Sequence, residues 1–431
     1  MRNLVQAGLC AALTLAAAGP VAAQALTFTP YHANGIYAVG ETVGWTLHAP
    51  AGAPTRYTYV VRENELAQLQ TGVIDLTSGT ATLETRLNEP GMVYVRLTSV
   101  PPPTVVGSPG ELDKLTMGAA VAPLALKLSA PRPADFDAFW AAKLAQLKTV
   151  PINPVLTPTP TTQAGVTLST VTLDSLGSHV HGYLATPATP GKHPALVILQ
   201  YAGVYALQPR TVTSRAAQGW LAFDVDAHDM APDQATAPKD YAQIGDADRE
   251  TSYFLNMYLR DTRALDYIQS RPDWDGKTIV LTGGSMGGQQ SLVTAGLNPD
   301  RVTAVIVNEP AGDDFDAALH GRKGGYPNWP STDAAVMRTG LYFDTVNFAS
   351  LIRAPALVSM GFIDTIANPA GIWTAFNQIP GPKEAAPALN SDHNNTTPAE
   401  LFRYNQRSEA ALDSLLKTGA FTPDADWASK P

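Results

Sequence analysis

Residues 278–295 constrain the fold of this chain more than any other stretch. Thr278-Ile279-Val280-Leu281-Thr282 is a short apolar run of the kind buried on both faces of a parallel sheet. Gly283-Gly284-Ser285-Met286-Gly287-Gly288 follows at once, and Gln289 to Ala295 can run on as a helix. Strand, sharp turn and helix is the setting in which a G-x-S-x-G pattern carries chemistry. The turn strains the backbone at the serine, so small neighbours are needed on both sides. The hydroxyl then stands free at the sheet edge, and the helix N-terminus favours developing negative charge there. A purely structural glycine turn is the bland alternative.

The surrounding pattern supplies a sheet for this turn to belong to. Continuous apolar runs recur at Ala195–Leu199, Leu221–Val225, 302–307 and 355–360, with helical segments between them, notably 253–269. Such alternation predicts a layered α/β fold. Ahead of it, Asp135 is a plausible N-cap for a helix in which Phe136, Phe139, Trp140 and Leu144 recur at helical spacing.

Residues 26–124 read differently. Short alternating segments at 37–47, 57–61, 81–87 and 92–97 are separated by turn residues, which predicts a small β-sandwich of immunoglobulin type. No histidine, cysteine or carboxylate constellation marks it, so a spacer or interface role is expected ahead of glycan binding. Pro101-Pro102-Pro103 and the Gly107–Gly110 region form a stiff link. The expected organisation is a signal peptide at 1–25, a β-sandwich at 26–124 and an α/β-hydrolase domain at 125–431.

Whole-chain properties remove several function classes. The chain has 431 residues, 45% of them apolar and 16% charged, enough for a sizeable core. A formal net charge of -9 leaves no basic footprint for nucleic acid. Met1-Arg2-Asn3, the short apolar stretch Leu4 to Ala18 and small-x-small sites ending at Ala23 or Ala25 predict an export signal. A secreted or periplasmic protein with no membrane attachment after cleavage is therefore expected. The single cysteine, Cys10, lies inside that signal, so thiolate chemistry and disulfides are excluded from the mature chain.

A serine hydroxyl needs a base, and the chain has only eight histidines. In α/β-hydrolases the order is serine, acid, histidine. Only His320 and His393 follow Ser285. His320 comes too soon after the elbow, whereas His393 lies in a polar loop near the end of the domain, so His393 is the expected base. Asp364 falls just past the predicted strand 355–360 and is the expected acid. Asp392 competes, but its adjacency to His393 makes the geometry awkward. The oxyanion hole should use the Met286 amide and one from the loop after Leu199, with Tyr201 the choice.

These residues together resemble carbohydrate esterase family seven, the acetylxylan esterase and cephalosporin-C deacetylase group. The resemblance rests on Asp135-Phe136-Asp137-Ala138-Phe139-Trp140, the elbow, Gly361-Phe362-Ile363-Asp364-Thr365 and Phe376-Asn377-Gln378-Ile379-Pro380-Gly381-Pro382-Lys383-Glu384, and it covers roughly 130–418. It implies an α/β-hydrolase that removes small acyl groups, chiefly acetyl, from sugars. It implies Ser285, Asp364 and His393 as the triad and Tyr201 at the oxyanion hole. The chain differs from the family at Leu199-Gln200, Asp226-Ala227-His228-Asp229, Met286 and Asn394, as a divergent branch with an added β-domain would.

The remaining polar clusters carry weaker expectations. His179 and His181 face one side of a strand without an evident third ligand, so no metal or organic cofactor is expected. His228 and Trp373 are candidate substrate contacts, and Arg322, Tyr326 and Trp329 fall in a Gly/Pro-rich segment that could cover the site. The expected partner is a small-molecule or polysaccharide ester; oligomeric state is left open. The competing readings are a serine peptidase of the prolyl-oligopeptidase type and an inactive glycan-binding protein on a hydrolase scaffold.

Overall fold

The computed structural model describes residues 26–100, 114–394 and 396–429. The expected signal segment at 1–25 and the Pro101–Pro103 link lie outside the described residues. The first domain contributes β1 (Thr27–Pro30), β2 (Ile36–Tyr37), β3 (Val43–His48), β4 (Arg56–Glu63), β5 (Ala67–Asp75), β6 (Thr80–Thr85), β7 (Gly91–Ser99) and β8 (Lys114–Val121). They form a three-stranded sheet, β1-β3-β6, and a five-stranded sheet, β2-β8-β7-β4-β5. Trp45 and Leu47 from the first sheet and Tyr57, Val61, Val95 and Met117 from the second share one buried cluster. Alternation along each strand sends these side chains inward, so the two sheets close over a common core.

The second domain holds a nine-stranded sheet. Its strands are β9 (Val155–Pro158), β10 (Val166–Ser175), β11 (Ser178–Pro187), β12 (His193–Leu199), β13 (Leu221–Val225), β14 (Trp274–Gly284), β15 (Ala304–Asn308), β16 (Ala356–Gly361) and β17 (Lys383–Ala388). The order is β17-β16-β15-β14-β12-β13-β11-β10-β9. Strands β12 to β17 run parallel, and β11 runs antiparallel to β10 and β13. The chain passes from β12 to β13 on one side and returns to β14 on the other, so the order switches between β12 and β14. Loops at the carboxyl ends of strands beside such a switch point converge on a crevice.

Helices α1 (Phe136–Lys148), α2 (Pro209–Gln218), α3 (Tyr253–Ser270), α4 (Met286–Leu297), α5 (Ala334–Gly340), α6 (Thr345–Ala349), α7 (Pro369–Gln378) and α8 (Phe402–Thr418) surround the sheet. Two buried clusters divide its faces. Val197, Phe223, Leu281 and Val305 point one way, and Leu196, Ala222, Val280 and Ile306 the other. Burial on both faces is why these strands read as continuous apolar runs; each buried Val, Leu, Ile or Phe side chain contributes about 1.5–3 kcal/mol. Asp135 precedes α1 but makes no capping bond. Its carboxylate accepts instead from Arg249, at 2.7 Å, and from the Tyr342 hydroxyl.

The β-domain is seated against the sheet end that carries the site. A Cβ at Gly118 would lie 2.5 Å from the Phe362 carbonyl oxygen, so only glycine permits this approach. Met92 and Ala120 join the α/β core beside Phe362. Among the described residues, no helix is long and apolar enough to cross a membrane.

Candidate active site

The parallel strands deliver one polar group after another to a single edge. Tyr201 follows β12, Ser285 follows β14, Glu309 follows β15, Asp364 follows β16 and His393 follows β17. All of these but Asp364, which is buried behind His393, line a cleft of about 430 Å³ together with Ala202, Tyr326 and others, a size suited to a small-molecule site.

Ser285 adopts φ 54° and ψ −124° between β14 and α4. The strain is held by packing. A Cβ on Gly287 would lie 2.0 Å from the Leu199 carbonyl oxygen, and one on Gly288 2.9 Å from the Pro310 Cα. The Ser285 amide donates to the Asn308 carbonyl, and its own carbonyl accepts from Gln289 and Ala311. Positive φ recurs at Glu309 (42°) and His393 (82°), so three residues that face the cleft carry strained backbone.

His393 Nδ1 is 2.7 Å from Asp364 Oδ2, and Nε2 is 2.9 Å from Ser285 Oγ. An ionised carboxylate only accepts, so Nδ1 carries the ring proton and Nε2 accepts from the serine hydroxyl. Asp364 is buried, and its other oxygen accepts from the amides of Ile366 and Ala367. Burial of His393 opposes its charged form, but the Asp364 hydrogen bond and charge, with help from Glu309 and Asp392, outweigh it and raise the imidazole pKa. Asp392 sits beside the ring's own backbone, and its carboxylate accepts from the Asn394 amide.

Met286 opens α4, so its amide lacks an intrahelical acceptor. Its buried sulfur accepts from the hydroxyls of Tyr326, at 3.1 Å, and Tyr241, at 3.5 Å. The Tyr241 hydroxyl in turn accepts from the Gly203 amide at 3.2 Å. Gln200 pins the Tyr201 loop from below: its amide group donates to the Tyr205 carbonyl and accepts from the Ala227 amide. Tyr201 itself is exposed and stacks on Tyr205.

The structure brings Ser285, His393, Asp364, Tyr201 and Met286 together, and it separates two others from the cleft. Trp373 is fully buried in α7 against Phe376 and Trp427, so it does not wall the site. An aromatic on the apolar face of a helix packs into the core, and the cleft lies elsewhere. His228 is also fully buried. Its Nε2 donates to the Gly203 carbonyl at 3.1 Å and its Nδ1 accepts from Tyr253 at 2.8 Å. Burial lowers its pKa to about 4, so it stays neutral and supports the loop rather than touching a ligand. Of the Gly/Pro-rich segment only Tyr326 reaches the cleft. Arg322 bonds Asp314 and Ser129, and Trp329 donates to the Ala242 carbonyl.

Glu309 is the ionisable group that sequence reasoning missed. It is buried, and its carboxylate oxygen, an oxygen of Asp364 and a ring nitrogen of His393 lie within 4.8 Å of one another. Burial pushes its pKa up to about 7; the Ser391 hydroxyl, which donates to it, works the other way, and the Asp364 charge adds to the rise. A Cβ on Gly361 would lie 2.7 Å from its Oε1, so that glycine makes room for it. The available signal was its place: Asn308-Glu309-Pro310 directly follows a buried strand, where sheet-edge function resides.

The sequence and fold are similar to those of known esterases. The family model for acetyl xylan esterase, AXE1, matches residues 125–407. The acetyl esterase Axe7A of Xylanibacter ruminicola is 31% identical over 390 residues, covering 84% of this chain and 85% of that protein, a span that reaches into the β-domain. The solved acetyl xylan esterase from Paenibacillus sp. R4 aligns with a TM-score of 0.59 and 25% identity over 67% of this chain and 98% of its own. Acetyl xylan esterase 1 from Thermoanaerobacterium sp. JW/SL YS485 aligns at 0.56 and 19% identity, over 66% of this chain and 97% of its own, and supports the α/β-hydrolase fold. The chain is a carboxylic ester hydrolase belonging to the acetyl xylan esterase family.

Proposed function

We propose that this protein is an exported esterase that removes acetyl groups from carbohydrate esters, with Ser285 as nucleophile. The observation that carries the reading is the unbroken series Asp364–His393–Ser285, with contacts of 2.7 and 2.9 Å, at the rim of one cleft. Ser285 Oγ attacks the ester carbonyl carbon while His393 Nε2 takes its proton. Asp364 holds the ring and stabilises the imidazolium. The carbonyl oxygen gains negative charge, which the amides of Tyr201 and Met286 receive in this reading. Collapse breaks the bond to the sugar oxygen, which leaves with the His393 proton. Water then attacks the acetyl-serine with His393 again as base, releasing acetate and restoring Ser285.

The substrate class rests on the family and on the acetyl esterase relative. Export rests on the sequence of residues 1–25, and the N-terminal domain is read as an immunoglobulin-type sandwich acting at an interface rather than on substrate. The test is hydrolysis of p-nitrophenyl acetate, acetylated xylan and a prolyl peptide by the mature protein and by Ser285→Ala. Ester turnover should fall roughly 10⁴-fold or more in the variant with folding intact. Equal ester turnover by the variant would remove Ser285 from the mechanism, and peptide cleavage without ester cleavage would favour a peptidase.

A further inference from the structure

The sequence offers His179 and His181 as a pair on one face of a strand, and the third partner arrives from 50 residues away. Strand β11 alternates, so the two rings project together from the face that also bears their cross-strand neighbours. On β10 those neighbours are Asp174, opposite His179, and Thr172, opposite His181. The turn after β13 then folds over this corner. The Asp226 amide donates to the His181 carbonyl at 2.8 Å, and the His179 amide donates to Asp229 Oδ2 at 3.1 Å.

This leaves Asp229 Oδ1 3.0 Å from His181 Nε2 and 3.4 Å from His179 Nδ1. The three donor atoms lie within 4.8 Å of one another. A tetrahedral zinc site with bonds of about 2.0–2.1 Å places neighbouring donors roughly 3.3 Å apart, close to both separations. The outward nitrogen of one ring also has a partner: His181 Nδ1 is 3.3 Å from the Thr172 hydroxyl. Metal-bound histidines characteristically use the second nitrogen this way, which fixes ring orientation. His179 Nε2 has the Asp174 carboxylate nearby, at 3.9 Å.

The geometry points to a divalent-metal site of zinc type formed by His179 Nδ1, His181 Nε2 and Asp229 Oδ1, with its fourth position open to water. Two imidazoles and one carboxylate form a donor set that suits zinc and excludes calcium or magnesium as the preferred ion. His179 is 53% exposed on its side chain, so the ion enters directly from solvent. The site is separate from the Ser285 cleft. It clamps the turn that carries His228, the residue whose ring supports the Gly203 carbonyl.

The experiment is titration of tag-free, metal-stripped full-length protein with Zn²⁺ by calorimetry, and with Co²⁺ by visible absorption. The wild type should bind one Zn²⁺ per chain with Kd below about 10 μM and give the intense Co²⁺ bands of a low-coordinate nitrogen–oxygen site. His179→Gln/His181→Gln should weaken binding at least about 100-fold. His179→Gln alone keeps the His181–Asp229 contact that holds the turn, and should still weaken it roughly tenfold or more. Wild-type binding no tighter than that of the double variant would overturn the assignment. So would a stoichiometric site that survives the double variant and disappears in His393→Gln, since it would then belong to the Glu309–Asp364–His393 cluster.

Discussion

Lys323 Nζ lies 2.7 Å from Glu65 Oε1 in the β-domain and 3.2 Å from the carbonyl oxygen of Thr365, the residue after Asp364. The Lys323 amide also donates to the Asn64 carbonyl. One ammonium group thus joins the first domain to the loop that carries Asp364. Burial raises the Glu65 pKa, and the Lys323 hydrogen bond counteracts this. Removing the lysine leaves a largely buried carboxylate without its main partner.

Lys323→Met should therefore cost about 1–3 kcal/mol in urea unfolding. It should also lower kcat several-fold, because the Thr365 carbonyl it holds adjoins Asp364. Adding Glu65→Leu should recover part of the stability. Steady-state kinetics on p-nitrophenyl acetate check this, and an unchanged kcat would show that the amides of Ile366 and Ala367 hold Asp364 unaided.

Glu309 makes two pH-dependent predictions. Its charge favours protonated His393, so Glu309→Gln should move the acid limb of kcat/KM downward by about half to one pH unit. The stability effect has the opposite dependence from that of a salt-bridged carboxylate. The folded pKa, about 7, lies above the ordinary 4.5, so the folded state holds the extra proton between these values. Stability falls as pH rises from about 4.5 to about 7, a slope on the order of 3 kcal/mol that the glutamine variant should lack. Denaturant midpoints at pH 5 and 8 measure it; equal slopes in both proteins would contradict it.

The elbow tolerates no side chain at Gly287. A methyl group 2.0 Å from the Leu199 carbonyl would force α4 away from β12. Gly287→Ala should destabilise by more than about 3 kcal/mol and abolish turnover, since the contact lies directly beside the Ser285 turn. Calorimetric melting with an activity assay tests the pair of effects.

Trp373 should behave as a core residue. Trp373→Phe leaves a void beside Trp427 and Phe376 and should cost about 1–3 kcal/mol with KM unchanged. A raised KM at unchanged stability would return it to the cleft.

Much of this was legible before any tertiary information. Ser285 was readable because an apolar strand, a glycine turn and a helix are adjacent in the chain, and their consequence for one serine is local. His393 was a candidate because only two histidines come after the elbow, and Asp364 because it falls just past an apolar strand run. The central strands were readable because burial on both faces leaves an unbroken apolar run. Strand β17 was not: Lys-Glu-Ala-Ala-Pro-Ala reads as polar, yet Glu384 is fully buried in a bidentate pair with Arg407. Strands β9 and β10 were missed because β9 is exposed throughout and β10 alternates instead of forming an apolar run, and β11 was read only through His179 and His181.

The tertiary structure alone decided which distant groups meet. Glu309 stands beside His393 because β15 and β17 flank β16. Asp229 completes the histidine pair because β13 lies next to β11 with a defined register. The β-domain reaches the Asp364 loop because Gly118 allows its strand to touch Phe362. Local pattern records how a segment is buried and where its backbone turns. Strand order and register determine what faces it across space, and no short stretch of sequence carries that information.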